Sequence, residues 1–156
     1  MKRIFILFTL TLLVGCSSSS DDDVETLILT NYLEPFFEYE APKSKILNLY
    51  GDDFKTENNN FSLGYKMIYE ARHNGIVNYY FSLDNSKTLW ESEATFHKGK
   101  ENVDFLKSFL SNKYTFEYEN SNSGLITIRY KNSTTKVVLS YLEGTYTGIS
   151  VTYKNI

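Results

Sequence analysis

Two glutamates in one predicted strand have the spacing best suited to acid–base chemistry. Side chains at positions i and i+2 of a strand share a face, so the carboxylates of Glu91 and Glu93 would stand about 7 Å apart, a separation that glycosidases use. Such a pair needs one buried member with a raised pKa. The alternation instead turns the other residues of this strand inward: Trp90, Ser92, Ala94 and Phe96. We therefore predict that both glutamates are solvated and ionised, and that they form no glycosidase site.

Other candidate sites in the sequence are weaker. Tyr50-Gly51-Asp52-Asp53 matches the tetrapeptide with which RNA-dependent polymerases hold Mg²⁺. A chain of 156 residues is too short for a polymerase, and Gly51 is typical of the end of a helix. The two histidines, His73 and His97, have no cysteine beside them to complete a closed zinc site. With no Ser-His-Asp spacing, phosphate loop or GxSxG motif, we predict a protein that is not an enzyme and binds no metal or cofactor.

Composition and charge limit the remaining classes of function. The chain is 42% hydrophobic and 16% aromatic with only 2 Pro, which favours one compact domain and excludes a disordered protein. Its formal charge is -3, from 16 Lys+Arg against 19 Asp+Glu. Since no excess of positive charge is available to attract a phosphate backbone, we predict no nucleic-acid partner.

The first 15 residues have the pattern of a secretory signal peptide. A basic start at Lys2-Arg3 precedes an apolar run that is shorter than the about 20 residues a membrane-spanning helix needs. Leu13-Val14-Gly15-Cys16 then resembles the lipobox of bacterial lipoproteins. The resemblance implies cleavage between Gly15 and Cys16, with acyl chains on the Cys16 thiol and on the new amine. Because Cys16 is the only cysteine, the folded part has no disulfide, and its core alone must stabilise it.

A polar and acidic segment follows the predicted anchor. Residues 16–23 consist of Cys16, four serines and three aspartates, and they are typical of a solvated tether. The Ser-then-Asp run resembles the export signal of Bacteroidetes-type lipoproteins, which carries them to the outer face of the outer membrane. We therefore expect a lipid-anchored protein of the outer membrane exposed on the cell surface, with the periplasmic face as the alternative. Residues 24–156 form the folded domain.

The chain from Pro42 onward shows the same order of elements twice, which is the mark of an internal repeat. The second copy, about 99–156, begins with an amphipathic helix over 101–112 and continues with four alternating strands. The apolar positions of these strands are Tyr114, Phe116 and Tyr118, then Ile126, Ile128 and Tyr130, then Val137, Leu139 and Tyr141, and finally Ile149, Val151 and Tyr153. Each strand is thus predicted to bury one face.

The first copy, about 42–98, repeats this order with a shorter helix. Pro42–Tyr50 has Pro at its start and Gly just past its end, as helices prefer, and Asn74-Gly75 is a strong hairpin signal. Thr88–Phe96 aligns with Thr145–Tyr153 at a constant offset. One strand disagrees, because a constant offset puts Lys66 opposite Ile126 and reverses its face, so we predict a one-residue slip there.

These units predict an α+β fold: two tandem helix-plus-four-strand units that form an antiparallel sheet of up to eight strands, with the helices packed on one face. In element order this resembles the tandem folds of β-lactamase inhibitor proteins and the PepSY-like domains of bacterial lipoproteins, and it carries over no residue roles. Residues 24–41 remain ambiguous between a short helix that ends before Pro35 and an added strand over Thr26–Tyr32.

The face of the sheet away from the helices is predicted to be polar and solvated. Its candidate binding residues are Lys66, Tyr80, Glu91, Glu93 and His97. An exposed tyrosine offers contact area and a hydrogen bond at low entropic cost, which favours recognition of a protein. The main hypothesis is a non-catalytic, lipid-tethered binding or inhibitory module. The alternatives are a glycan-binding accessory of a polysaccharide uptake system, with Tyr80, Tyr146 and Tyr65 coplanar and exposed, and a structural envelope lipoprotein.

Overall fold

A computed structural model describes residues 27–58, 65–71, 75–82 and 88–156, with the backbone alone for 55–58 and 65–71. Within these residues, the elements follow one another as α1 (Lys43–Tyr50), β1 (Lys55–Asn58), β2 (Tyr65–Ala71), β3 (Gly75–Phe81), β4 (Leu89–Phe96), α2 (Lys100–Lys113), β5 (Thr115–Asn122), β6 (Leu125–Lys131), β7 (Thr135–Leu142) and β8 (Thr147–Asn155). The protein is α+β, and this part of the fold prediction is confirmed. The predicted signal peptide and tether lie outside the described residues.

Both helices begin and end within a residue of their predicted positions. Pro42 precedes α1 with a φ of -70°, and Gly51 ends the helix with a φ of 80°, a left-handed value that glycine adopts without steric cost. Glu101 lies in the first turn of α2 and Lys113 in the last, where each charge is favourable to the helix dipole. Neither of these two described helices has the length and hydrophobicity needed to cross a bilayer.

All eight described strands form one antiparallel sheet in the order β1-β2-β3-β4-β8-β7-β6-β5. The last strand of the first group of four, β4, therefore pairs with the last strand of the second group, β8, at the middle of the sheet. The edges are β1 and β5. Within each group, neighbouring strands are also consecutive in the chain, and α2 connects β4 to β5.

One face of the sheet and the two helices enclose the core. Under α2, Val103, Leu106 and Leu110 pack with the inward residues of the second group, such as Leu139 and Val151. Burying a side chain of this size contributes about 1.5–3 kcal/mol. Under α1, a smaller cluster is built from Ala41, Ile46, Tyr79, Phe81 and Leu89. Partly buried Val77 and Phe37 touch both clusters, so the two helices cover the same face.

The segment before α1 has neither of the two structures that the sequence left open. Residues 27–41 form no helix and no strand, and they pack irregularly on the core face. Leu29 and Tyr32 are buried there, Asn102 of α2 binds the backbone of Leu27 and Leu29, and Ser92 donates to the Phe36 carbonyl oxygen. Tertiary hydrogen bonds thus take the place of a regular ladder, which local propensity does not reveal.

The edge strand β5 departs from the predicted alternation. Its register with β6 shifts between Phe116 and Tyr118, so that Phe116 pairs with Tyr130 and Tyr118 with Arg129. Phe116 and Tyr118 therefore lie on opposite faces, and the prediction that Tyr114, Phe116 and Tyr118 share a buried face is wrong. A bulge adds one residue to one strand and reverses the alternation beyond it. Bulges of this kind also protect edge strands from pairing with other chains.

Candidate functional site

The face of the sheet opposite the helices is the surface on which the sequence placed its candidate residues, and we call it the open face. Its members are Ile76, Asn78 and Tyr80 of β3, Glu91, Glu93 and Thr95 of β4, Ser150, Thr152 and Lys154 of β8, Lys136, Val138 and Ser140 of β7, and Thr127, Arg129 and Lys131 of β6. None of the described helices covers this face, because both pack on the other one. It is mainly polar, as predicted.

Glu93 is the centre of a small hydrogen-bond network on the open face. Its Oε2 accepts from the Tyr80 hydroxyl at 2.8 Å and from Asn78 Nδ2 at 3.1 Å. The register explains the contacts, since Asn78 pairs directly with Glu93 across β3 and β4, and Tyr80 is the diagonal neighbour. These two hydrogen bonds orient the Tyr80 ring. A carboxylate can accept further hydrogen bonds, so Glu93 can also accept one from a partner.

Glu91 differs from its prediction as a solvated carboxylate. Only 9% of it is exposed, and its Oε2 lies 2.5 Å from Lys154 Nζ in an ion pair. Burial raises the pKa of Glu91, and the Lys154 ammonium offsets part of that rise. A buried carboxylate beside a second one is the arrangement expected of an acid pair. Glu91 differs from such an acid because it forms an ion pair with Lys154 and lies on a sheet face that no described helix covers.

A β-bulge at Trp90 gives its side chain an orientation different from the predicted one. The register of β3 with β4 shifts so that Tyr80 pairs with Glu91 while Phe81 pairs with Leu89, which leaves Trp90 as the extra residue. Leu89 takes the inward position and is fully buried, whereas Trp90 lies with its ring 5.9 Å from that of Tyr80 and 5.8 Å from Lys154 Nζ. The prediction that Trp90 points inward is therefore wrong. Its Nε1 is buried and has no hydrogen-bond acceptor among the described residues.

The other half of the open face is basic. Lys131, Lys136 and Lys154 lie directly opposite one another on β6, β7 and β8, and we call these three residues the basic row. Glu117 lies at the outer end, where its Oε1 is 2.6 Å from Lys131 Nζ and its Oε2 is 2.5 Å from Arg129 Nε. Lys131 and Arg129 lower the pKa of the Glu117 carboxyl through their contacts and charge. Among the described residues, Lys136 has no ion-pair partner.

Of the remaining candidate residues, the backbone register brings only Lys66 next to the open face. His97 lies beyond the end of β4 in the exposed loop before α2, so it does not share the strand face of Glu93 as predicted. Lys66 pairs with Tyr80 in the backbone register, and nothing more is described of it. Gly15 and Cys16, the predicted cleavage and lipidation residues, lie outside the described residues, as does His73. The described side chains contain no cluster of three or more His, Cys, Asp or Glu that fits a metal ion.

The three tyrosines suggested for a glycan platform do not form one within the described side chains. Tyr80 lies on the open face, whereas the Tyr146 ring stacks on Tyr141 of the core at 6.0 Å and thus belongs to the helix side. The side chain of Tyr65 is outside the description. On the open face, the Tyr80 ring lies 5.9 Å from the ring of Trp90, and the two rings are inclined by 52°. A sugar ring stacked on one of them would not lie flat on the other.

Sequence reasoning missed Lys136, Lys154 and Trp90 as members of this surface. The signal for the lysines was present, because Lys136 and Lys154 adjoin the inward residues Val137 and Tyr153 and must therefore point outward. The displacement of Trp90 had no such signal, since a bulge depends on how the neighbouring strand pairs. Comparison with protein-family models, with curated proteins and with solved structures found no match for this chain.

Proposed function

We propose that this chain is a non-catalytic lipoprotein of the outer membrane, exposed on the cell surface, that recognises a protein partner through the open face. The anchor rests on Leu13-Val14-Gly15-Cys16 and the surface location on the Ser-Asp run of residues 17–23. Several acyl chains make such anchoring stable, since each buried methylene contributes about 0.8 kcal/mol. The folded domain would then stand in water with the open face available to a partner.

The observation that carries the binding role is the composition of the open face. It combines an aromatic pair, Tyr80 and Trp90, with an arginine, a row of lysines and the bonded carboxylate of Glu93. Trp, Tyr and Arg are the residue types enriched at the energetic centres of protein interfaces. The buried Trp90 Nε1 without an acceptor is a further polar group that a partner can satisfy after a small side-chain movement.

A protein is favoured over a glycan as the partner. The tilt between the Tyr80 and Trp90 rings and the lysine over Trp90 leave no flat aromatic platform among the described side chains of this face. Glycan recognition by stacking, the alternative considered above, would need two or three coplanar exposed rings. Recognition of a protein needs only adaptable polar contacts around a few anchors.

We further propose that the two units, about 42–98 and 99–156, are copies of one helix-plus-four-strand repeat. The order α1-β1-β2-β3-β4 and then α2-β5-β6-β7-β8 supports this, as does a strand order that reads the same from both edges. Ala94 pairs with Val151, the residue that corresponds to it when Thr88–Phe96 is aligned with Thr145–Tyr153. A pseudo-twofold axis through that pair would relate the halves, and a partner would then meet two related but differently charged surfaces.

Site-specific photo-crosslinking in intact cells tests the binding role. A photoreactive amino acid is placed at Thr152 on the open face, and in a control variant at Ser111, which is exposed on α2. We expect an adduct of defined mass at Thr152, identified as a protein by mass spectrometry, and none of that mass at Ser111. The proposal is wrong if Thr152 yields no adduct, if both positions yield the same one, or if the adduct is a glycan.

A further inference from the structure

The basic row places three lysines side by side, and two carboxylates of the described residues are in contact with them. Lys131 pairs with Lys136 across β6 and β7, and Lys136 pairs with Lys154 across β7 and β8. Directly opposite side chains have Cβ atoms about 4.5–5.5 Å apart, and like charges in such positions destabilise a sheet. Glu117 neutralises one end of the row and Glu91 the other. The central residue, Lys136, has no such contact within the described chain.

The positive charge of this surface is local and does not reflect the chain as a whole. The protein carries a formal charge of -3, yet Arg129 lies one row away from the three lysines on the same face. About half of the side chain of Lys131 and two fifths of that of Lys154 remain exposed to solvent, and Lys136 is half-buried. Partial burial reduces screening by water and salt, so an anion placed over the row would be attracted more strongly than at an ordinary exposed lysine.

On this arrangement, and resting on the proposed function, we propose that the basic row binds carboxylate side chains of an acidic segment of the protein partner, with Lys136 at the centre of the contact. Neighbouring strands are about 4.8 Å apart, so the row spans about 10 Å. Alternate side chains of an extended peptide lie about 7 Å apart. Two carboxylates of such a segment therefore fit between the three ammonium groups, and the charge left over at Lys136 is matched.

The chemistry of the row agrees with a carboxylate ligand of this kind. Hydrogen bonds between ammonium and carboxylate groups are about twice as strong as neutral ones, and an ammonium group has three donors. Lys136 forms no ion pair with the described residues that would compete for them. Val138 lies beside Lys136 on the same face and offers an apolar contact next to the charge. The two intramolecular ion pairs keep Lys131 and Lys154 in place, so that fewer rotamers are lost when the ligand binds.

Fluorescence anisotropy on the full-length lipidated protein in detergent tests this proposal. The probe is a labelled hexaglutamate peptide, and hexaglutamine is its neutral counterpart. We expect binding of hexaglutamate that weakens between 50 and 300 mM salt, as about 0.1 M salt already screens charges beyond about 10 Å, and no binding of hexaglutamine. Lys136→Gln should weaken binding about tenfold, the effect of losing one charged contact. The matched control Lys98→Gln removes an exposed lysine in the loop before α2 and should bind as the parent does.

Three results overturn the proposal: no binding of hexaglutamate, equal loss of binding in the two variants, or tighter binding of polygalacturonate than of hexaglutamate. The last result would assign the row to an acidic glycan. Crosslinking at Thr152 in a Lys136→Gln background separates this proposal from the one on which it rests. If the protein adduct persists at its full yield, the open face still binds its partner and only the role of the basic row is wrong. If the parent itself gives no adduct, the proposed function has failed.

Discussion

The hydroxyl of Tyr32 lies 2.8 Å from the hydroxyl of Tyr153, which joins the irregular segment before α1 to the last strand of the sheet. The Tyr153 hydroxyl donates in turn to Glu34 Oε1 at 3.0 Å, and the Tyr114 hydroxyl donates to the same oxygen at 2.8 Å. Burial raises the pKa of both Tyr32 and Tyr153, because the phenolate would be desolvated in the core. A chain of hydrogen bonds thus holds residues 27–41 on the core face.

The order of these hydrogen bonds predicts that removing the hydroxyl of Tyr153 costs more stability than removing that of Tyr32. Tyr153→Phe leaves the buried Tyr32 hydroxyl without its partner, and it should lower the free energy of unfolding by about 1–3 kcal/mol. In Tyr32→Phe, the Tyr153 hydroxyl keeps its bond to Glu34, so the loss should be about 0.5–1.5 kcal/mol. Equilibrium urea unfolding measures both values. Equal losses, or a larger loss for Tyr32→Phe, would contradict a hydrogen-bond chain that runs from Tyr32 through Tyr153 to Glu34.

The buried carboxylate of Glu91 predicts a pH dependence of stability. Its pKa is raised in the folded protein, so the native state holds this proton more tightly than the unfolded chain does. The corresponding stability is present below the ordinary glutamate pKa of about 4.3 and is lost as pH rises through the raised value. Glu91→Gln cannot ionise and should not show this loss. The free energy of unfolding of the variant should therefore increase relative to that of the parent as pH is raised from 4 to 8.

Urea unfolding at several pH values, with Glu143→Gln as a control, isolates this effect. Glu143 is an exposed carboxylate in the turn between β7 and β8, so its replacement should leave the difference from the parent almost constant with pH. Contributions from titrating groups that do not interact with the replaced residue cancel in these differences. A difference between Glu91→Gln and the parent that stays flat over this pH range would contradict the assignment.

Alternation along the strands was the most informative feature of the sequence. It gave the inward faces of β6, β7 and β8 correctly, because a half-buried strand must place its apolar residues on one side. The ends of α1 followed from Pro42 and Gly51, and the extent of α2 from its amphipathic pattern. These features are local, and they were enough to indicate an α+β protein with a polar open face.

The parts that the sequence did not predict depend on contacts between distant residues. Trp90 and Phe116 lie at bulges, whose positions are set by the pairing of neighbouring strands. Residues 27–41 have apolar side chains that suit a helix or a strand, yet their backbone is satisfied by α2 and β4. Glu91 is buried and paired with Lys154, whose Nζ also lies over the Trp90 ring, so the raised pKa of Glu91 could not be predicted from alternation alone.

Gly75 opens β3 at a position where no side chain fits. A Cβ atom at this residue would lie 2.2 Å from the backbone oxygen of Thr95 on β4, which is far inside van der Waals contact. Gly75→Ala should therefore force the two strands apart and cost about 1–3 kcal/mol. Urea unfolding gives the value. In the control Gly144→Ala, the added Cβ meets no atom and only the φ of 80° is unfavourable, so we expect about 1 kcal/mol. A smaller cost for Gly75→Ala than for the control would show that the strands adjust freely.

Lipid anchoring predicts that replacing the sulfur of Cys16 by oxygen releases the protein from the membrane. Cys16→Ser removes the thiol that would carry the diacylglycerol, so the protein should leave the membrane fraction and appear in the soluble fraction. Fractionation with immunoblotting measures this, and mass spectrometry of the parent should find an acylated amino terminus at residue 16. Ser17→Ala is the matched control and should remain with the membrane. Continued membrane association of Cys16→Ser would contradict the proposed anchor.

The predicted tether, residues 17–23, should determine which side of the outer membrane the protein faces without affecting its anchoring. Deleting Ser17–Asp23 keeps Cys16 and therefore the anchor, but it removes the proposed export signal. The variant should stay in the membrane fraction and become protected from a protease added to whole cells. Replacing the three aspartates by asparagines at constant length tests whether their charge, and not the length of the spacer, is recognised. If the shortened protein is digested as readily as the parent, then residues 17–23 are a spacer alone, and the surface location needs another signal.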